Sequence, residues 1–126
     1  MNKLLVALLF ILTLPASASD LCQIVEGSVL IAQDTKKTYL GKITNSFDSD
    51  SIFNEFGTYG NEFSSVSIWN EFSTIGNEFN SYSPFNEFSS SPPMIIKNKE
   101  IIGYLSTNKY IKNSVSPNLL KATCGG

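Results

Sequence analysis

The chain has 126 residues, with 9 Lys and Arg against 11 Asp and Glu, a net charge of −2 and no histidine. That length allows one small domain with a modest core. All nine basic residues are lysine and they form no basic stripe, which sets nucleic acid aside as a partner. No imidazole is present to act as a base, and no glycine-rich loop leads into a helix to cradle phosphate, so the chain reads as non-enzymatic. Two carboxylates could cleave a glycoside, but any pair among the eleven acids would match that requirement loosely.

Residues 1–18 read as a secretory signal: Lys3 opens it, Leu4 to Leu14 is apolar, and Ala16-Ser17-Ala18 is a small-x-small cleavage site. The mature domain is then 19–126. The apolar run is shorter than the roughly 20 residues that a membrane-spanning helix needs, and no later run is longer. The chain is therefore expected to be exported, periplasmic or secreted, with no transmembrane segment. Leu21 stands before Cys22 where a lipoprotein signal would carry a small residue, which disfavours a lipid anchor there. Cys22 and Cys124 sit at opposite ends of the mature chain, and in an oxidising compartment a disulfide between them is expected. Closing a loop of about 100 residues contributes up to ~4.7 kcal/mol in the chain-entropy view; two free thiols are the alternative.

Next come Ile24-Val25 and Val29-Leu30-Ile31-Ala32, a polar turn at Asp34-Thr35-Lys36-Lys37, and Thr38-Tyr39-Leu40-Gly41-Lys42-Ile43-Thr44. The pattern predicts a β-hairpin. A second hairpin is predicted from Met94-Ile95-Ile96, a turn at Lys97-Asn98-Lys99, and Glu100 to Ser106. Placing Gly41 on Gly103 aligns Leu40 with Ile102 and Ile43 with Leu105. With one inserted residue, Asn45, Phe47 and Ser51-Ile52 match Asn108, Tyr110 and Ser114-Val115. The chain thus carries one unit twice. A glycine inside each second strand marks a bulge or a close neighbour, for which a ring from the intervening segment is the expected occupant. Ser116-Pro117, a cap followed by proline at the first helical position, predicts a short helix running to Cys124.

Between the two units, residues 51–91 contain Asn-Glu-Phe five times, beginning at Asn54, Asn61, Asn70, Asn77 and Asn86. The steps of seven and nine alternate, so the true unit is 16 residues long. That alternation breaks the continuous seam of a coiled coil, and the Gly and Ser content opposes long helix. A stacked β-array would bring identical Glu side chains to ~4.8 Å from one another, where they repel. The reading that remains is local. Asn accepts from backbone N–H groups ahead of it, Glu opens the turn and faces water, and Phe folds inward. Gly57, Gly60 and Gly76 then supply positive φ where the chain reverses. Phe53, Phe56, Phe63, Trp69, Phe72, Phe79, Phe85 and Phe88 would pin the turns at ~1.5–3 kcal/mol per buried ring.

The stretch from Tyr39 to Ser64, together with Pro92-Pro93, Gly103-Tyr104-Leu105-Ser106 and Val115-Ser116-Pro117, resembles a set of small exported bacterial proteins. These carry a Leu-Gly-Lys-Leu-Ser hairpin end followed by Ser-Ile-x-Asn-Pro-Tyr-Gly-x-Tyr-Gly-Ser repeats. Here Glu replaces the Pro and Phe the Tyr of the Asn-Pro-Tyr turn, which keeps the turn logic and adds five negative charges. The resemblance covers most of the mature chain and implies no reaction.

Asp48-Ser49-Asp50-Ser51 offers hard oxygen ligands suited to Ca²⁺, so Asp48 and Asp50 are the candidate metal residues, although the spacing is not that of an EF-hand. A solvated turn is the plainer reading, with no cofactor at all. Trp69 stands in register with Phe53 and Phe85 and is expected to pack as they do; an exposed binding platform is the alternative. The expected fold is small and mainly β, with two similar hairpins in one sheet, the repeat segment packed on it and a short C-terminal helix. The expected function is an exported interaction or surface-associated module. Its face would comprise Asn54, Glu55, Asn61, Glu62, Asn70, Glu71, Asn77, Glu78, Asn86 and Glu87, meeting an envelope component, a polysaccharide or a protein. A self-associating matrix protein and an inhibitor of a secreted hydrolase are the alternatives.

Overall fold

The computed structural model describes residues 18–125. The signal-sequence reading falls on residues 1–18 and so lies, but for its last residue, outside the described part. The elements are α1 (Ala18–Val25), β1 (Ser28–Ile31), β2 (Tyr39–Ile43), β3 (Met94–Lys97), β4 (Glu100–Leu105), β5 (Ser114–Val115) and α2 (Pro117–Cys124). The strands form one sheet in the order β2-β1-β3-β4-β5. Ile24 and Val25 do not extend the first hairpin as the sequence reading had it. They end α1, and Gly27 at φ 82° redirects the chain into β1.

Both predicted hairpins form, and they join through antiparallel β1 and β3. The second turns on Asn98 and Lys99, both at positive φ, the backbone that suits the twist of a two-residue hairpin. The duplication extends beyond the hairpins. Lys42 of β2 makes a parallel bridge to Ser51 in the chain that follows it, and Tyr104 of β4 pairs in parallel with Ser114. Lys42 N donates to Asp50 O at 2.8 Å, and Tyr104 N to Asn113 O at 3.1 Å. The glycines before them are required for the same reason. A Cβ on Gly41 would lie 2.7 Å from Asp50 O and 2.6 Å from Tyr59 Cβ; one on Gly103 would lie 2.6 Å from Asn113 O. A ring from the intervening segment does press on Gly41, while Gly103 meets backbone.

From Asn45 to Ser89 the chain advances as a succession of turns, with no strand between residues 52 and 93. Backbone N–H groups of Asp48, Ser51, Asn54 and Gly57 each donate to the carbonyl three residues before. The series resumes at Asn61 and again at Asn77 after a four-residue step. Four steps of three and one of four account for the 16-residue period. At nearly every corner an Asn, Asp or Ser side chain accepts from the N–H two residues on, as Asn54 does from Phe56 and Ser67 from Trp69. The copies also touch: Trp69 Nε1 donates to Ile52 O at 2.6 Å, and the Trp69 and Phe85 ring centroids are 5.9 Å apart.

The corners headed by Ser51, Ser67 and Ser83 face the sheet. Ile52, Ile68 and Pro84, at the same place in successive copies, are fully buried, and Ile75 joins them. They form one core with Leu30, Leu40, Ile43, Ile95 and Leu105 of the sheet and Leu120 of α2. Gly57 does not have the positive φ expected of it, and neither do Gly60 and Gly76. The latter two are glycine because a Cβ would lie 2.0 Å from Asn54 O and 1.9 Å from Asn70 O, inside the wall of the coil. The expected helix cap is present, with Ser116 Oγ accepting from Leu119 N ahead of Pro117. The disulfide joins Cys22 on α1 to Cys124 on α2, and Lys97 Nζ donates to the carbonyls of Gln23 and Ile24 near the end of α1.

Three outcomes follow. Gly76→Ala should cost about 1–3 kcal/mol in urea unfolding, because the added methyl meets backbone that cannot swing aside. Reduction of the disulfide should remove up to ~4.7 kcal/mol, seen as a lower unfolding midpoint with dithiothreitol. Burial, then the hydrogen bond from Tyr39 Oη to Asp50 Oδ2 at 2.9 Å and the Asp50 charge, push the Tyr39 phenol above its ordinary range. A raised folded-state value stabilises fully below the unfolded value of about 10 and is lost as pH rises past it. Tyr39→Phe should lose about 1 kcal/mol at pH 7 yet show a shallower alkaline decline in melts from pH 7 to 11.

Candidate functional site

The five Asn-Glu-Phe corners face away from the sheet, and here the expectation for the repeat phenylalanines is overturned. Phe56, Phe63, Phe72, Phe79 and Phe88 are all exposed, from 81% at Phe63 to 96% at Phe56. Only their register mates behind the Ser corners turn inward: Phe53 is buried, and Trp69 and Phe85 are half-buried. One reason is the glutamate at the same corner, and the side that the three-residue step presents is another, since Phe47 is as exposed beside the uncharged Ser46. The two residues between an Asn and the next turn head project on one side together. Burying an unpaired carboxylate costs several kcal/mol, more than the ~1.5–3 gained by burying one phenyl ring. Glu55, Glu62, Glu71, Glu78 and Glu87 therefore stay in water and hold their phenylalanines out with them.

The asparagines do what the sequence reading asked. Asn54, Asn61, Asn70, Asn77 and Asn86 accept through Oδ1 from the backbone N–H of Phe56, Phe63, Phe72, Phe79 and Phe88 at 2.8 to 3.0 Å. Asn54, Asn70 and Asn86 also donate through Nδ2 to the carbonyl six residues earlier, at 3.0 to 3.1 Å. Each exposed ring thus stands on a backbone clamped from within.

The row is longer than the Asn-Glu-Phe count implies. Phe47, 93% exposed, follows Asn45 by two residues, and Tyr110, 87% exposed, follows Asn108; both use the same side-chain clamp. The shared sequence signal is Asn-x-aromatic, which occurs eight times; seven of the rings are exposed, the eighth, Tyr82 behind Asn80, is clamped alike but half-buried against the core, and restricting the motif to Glu at its centre hid the two end members. Open clefts lie between successive rings: Phe47 and Phe56, Phe56 and Phe63, Phe72 and Phe79, Phe79 and Phe88, Phe88 and Tyr110. Trp69 bridges the gap between Phe63 and Phe72, lining the cleft on either side of it. Its indole is anchored by the bond to Ile52 O and carries Lys121 Nζ 4.4 Å from its ring centroid, so it is at once a packing residue and part of the face.

Asp48 and Asp50 have protein partners. Asp48 Oδ1 accepts from Asp50 N and its Oδ2 lies 3.7 Å from Lys42 Nζ, while Asp50 Oδ2 accepts from Tyr39. Among the described residues no three Cys, Asp or Glu side chains gather where a metal ion would sit. Among them also, no helix is long and apolar enough to cross a membrane. Comparison with models of protein families, with curated proteins and with solved structures found no match.

Proposed function

We propose that this chain is an exported, non-enzymatic binding module whose row of exposed aromatic rings, flanked by glutamates, meets a component of the cell envelope, a polysaccharide or another protein. One observation carries the reading: five phenylalanines are held outside on clamped turns. Contiguous exposed apolar surface of this kind is the usual mark of an interaction site. Rings fixed in place also lose little entropy on binding, which favours recognition by the rings themselves. The Cys22–Cys124 disulfide supports an oxidising compartment and hence export.

Self-association into a structural or matrix protein is the second reading, since exposed rings serve a second copy as well as a partner. Five glutamates on the same face oppose it at neutral pH, where like charges at close range repel. Phe56, Phe72 and Phe79 are exposed, so replacing all three by Ser should leave the melting temperature nearly unchanged while abolishing capture of partners from envelope extracts. Undiminished capture by the triple variant would remove this function from the face. Sedimentation of the unaltered chain should give a monomer at pH 7, and assembly that grows with concentration there would favour the matrix reading instead.

A further inference from the structure

Two of the clefts are copies of one another, 16 residues apart. The first lies between Phe56 and Phe63, with Glu55 and Glu62 on its rim and Trp69 as a wall. The second lies between Phe72 and Phe79, with Glu71 and Glu78 on its rim and Phe85 in the place of Trp69. One difference between them bears on what they accept. Lys121, reaching over from α2, lines the first cleft and holds its ammonium 4.4 Å from the Trp69 centroid, within range of a cation–π interaction. The molecule thereby displays the chemistry that such a cleft accepts: a primary ammonium over a π face, in a cleft whose rim carries carboxylates.

No lysine lines the second cleft, of about 580 Å³, nor the adjoining one between Phe79 and Phe88. The α2 residue that reaches the latter is Asn118, which is neutral. At the far end of the row Lys109 lies 6.0 Å from the Tyr110 ring centroid, in the cleft beside Phe88. The chain's own lysines thus serve clefts near both ends, and the middle, with Glu71, Glu78 and Glu87, keeps its negative charge. We infer that the two middle clefts are subsites for lysine side chains, and that the partner is a protein with an exposed lysine-rich segment. The carboxylates disfavour an anionic lipid or polysaccharide surface. The two clefts share Glu78, Phe79 and Phe85, which suits neighbouring lysines of one segment. This inference rests on the binding-module reading and names its partner.

Trp69 is the sole tryptophan and lines both copies of the cleft, so its fluorescence reports their occupancy. The mature chain is titrated with a capped tetralysine peptide and with the same peptide acetylated on every Nε. Saturable binding of the first and none of the second is expected. Phe72→Ala with Phe79→Ala should weaken binding roughly tenfold, Glu71→Gln with Glu78→Gln roughly threefold to tenfold, and Lys121→Met should add a second binding event as the first cleft opens. Equal binding of the acetylated peptide overturns the assignment, as does wild-type affinity in the Phe variant, which would mean diffuse charge attraction. Should the chain dimerise through these rings and the dimer exclude the peptide, the occupant is a second copy and the inference fails. Ring-dependent capture from envelope extracts without any tetralysine binding overturns the lysine assignment alone and leaves the binding module standing.

Discussion

The hydrogen bond from a backbone N–H to the Asn, Asp or Ser side chain two residues earlier is the constraint on which this protein depends. A segment of some forty residues without strand or helix has no ladder to satisfy its polar backbone, and leaving such groups unpaired against a core is costly. Here the side chains at the corners take that role, and each carbonyl three residues back takes the next N–H. The chain can then lie against a sheet while using residues that would otherwise belong to a flexible linker. The three-residue step also fixes which side each corner presents.

Given those sides, the residue in second place at each corner does much of the sorting. A corner that carries Ile or Pro in second place goes to the core, and a corner that carries Glu goes to water with whatever ring follows it. The outcome is an inner wall of Ile52, Ile68, Ile75 and Pro84 and an outer fringe of rings and carboxylates. Holding rings at fixed intervals in solvent has no role in stabilising the fold. It is the feature on which the proposed recognition surface rests, and Lys121 over Trp69 is the observation behind the charge proposed for its partner.

The sheet supplies the frame. Two copies of a hairpin, each followed by a chain that crosses back over a glycine in its second strand, close the two ends of the turn segment in the same way. Equivalent crossings at Gly41 and Gly103 mean that the coil enters and leaves against matching strands. The disulfide then ties the helix before the first hairpin to the helix after the second, so that the ends of the frame cannot separate.

Much of this was legible in the residues. Alternating apolar runs and turn residues marked both hairpins, the alignment of Gly41 with Gly103 and, after one inserted residue, of Asn45 with Asn108 revealed the duplication, Ser116-Pro117 announced the last helix, and the asparagine clamp followed from chemistry that acts over two or three residues. These are local properties, and local sequence encodes them. The side to which each corner turns was decided only by tertiary structure, because it depends on whether a Glu and a Phe sharing that corner meet core or solvent. Treating Phe as an independent hydrophobic anchor missed the carboxylate beside it. The glycines at 60 and 76 answer to a carbonyl six residues away around the coil, and Ile24 with Val25 went to a helix bonded to Cys124 and Lys97. The lysine over Trp69 joins residues 52 positions apart. Contacts between distant residues follow from how the copies stack and where α2 lands, and the spacing of residues along a chain does not contain that geometry.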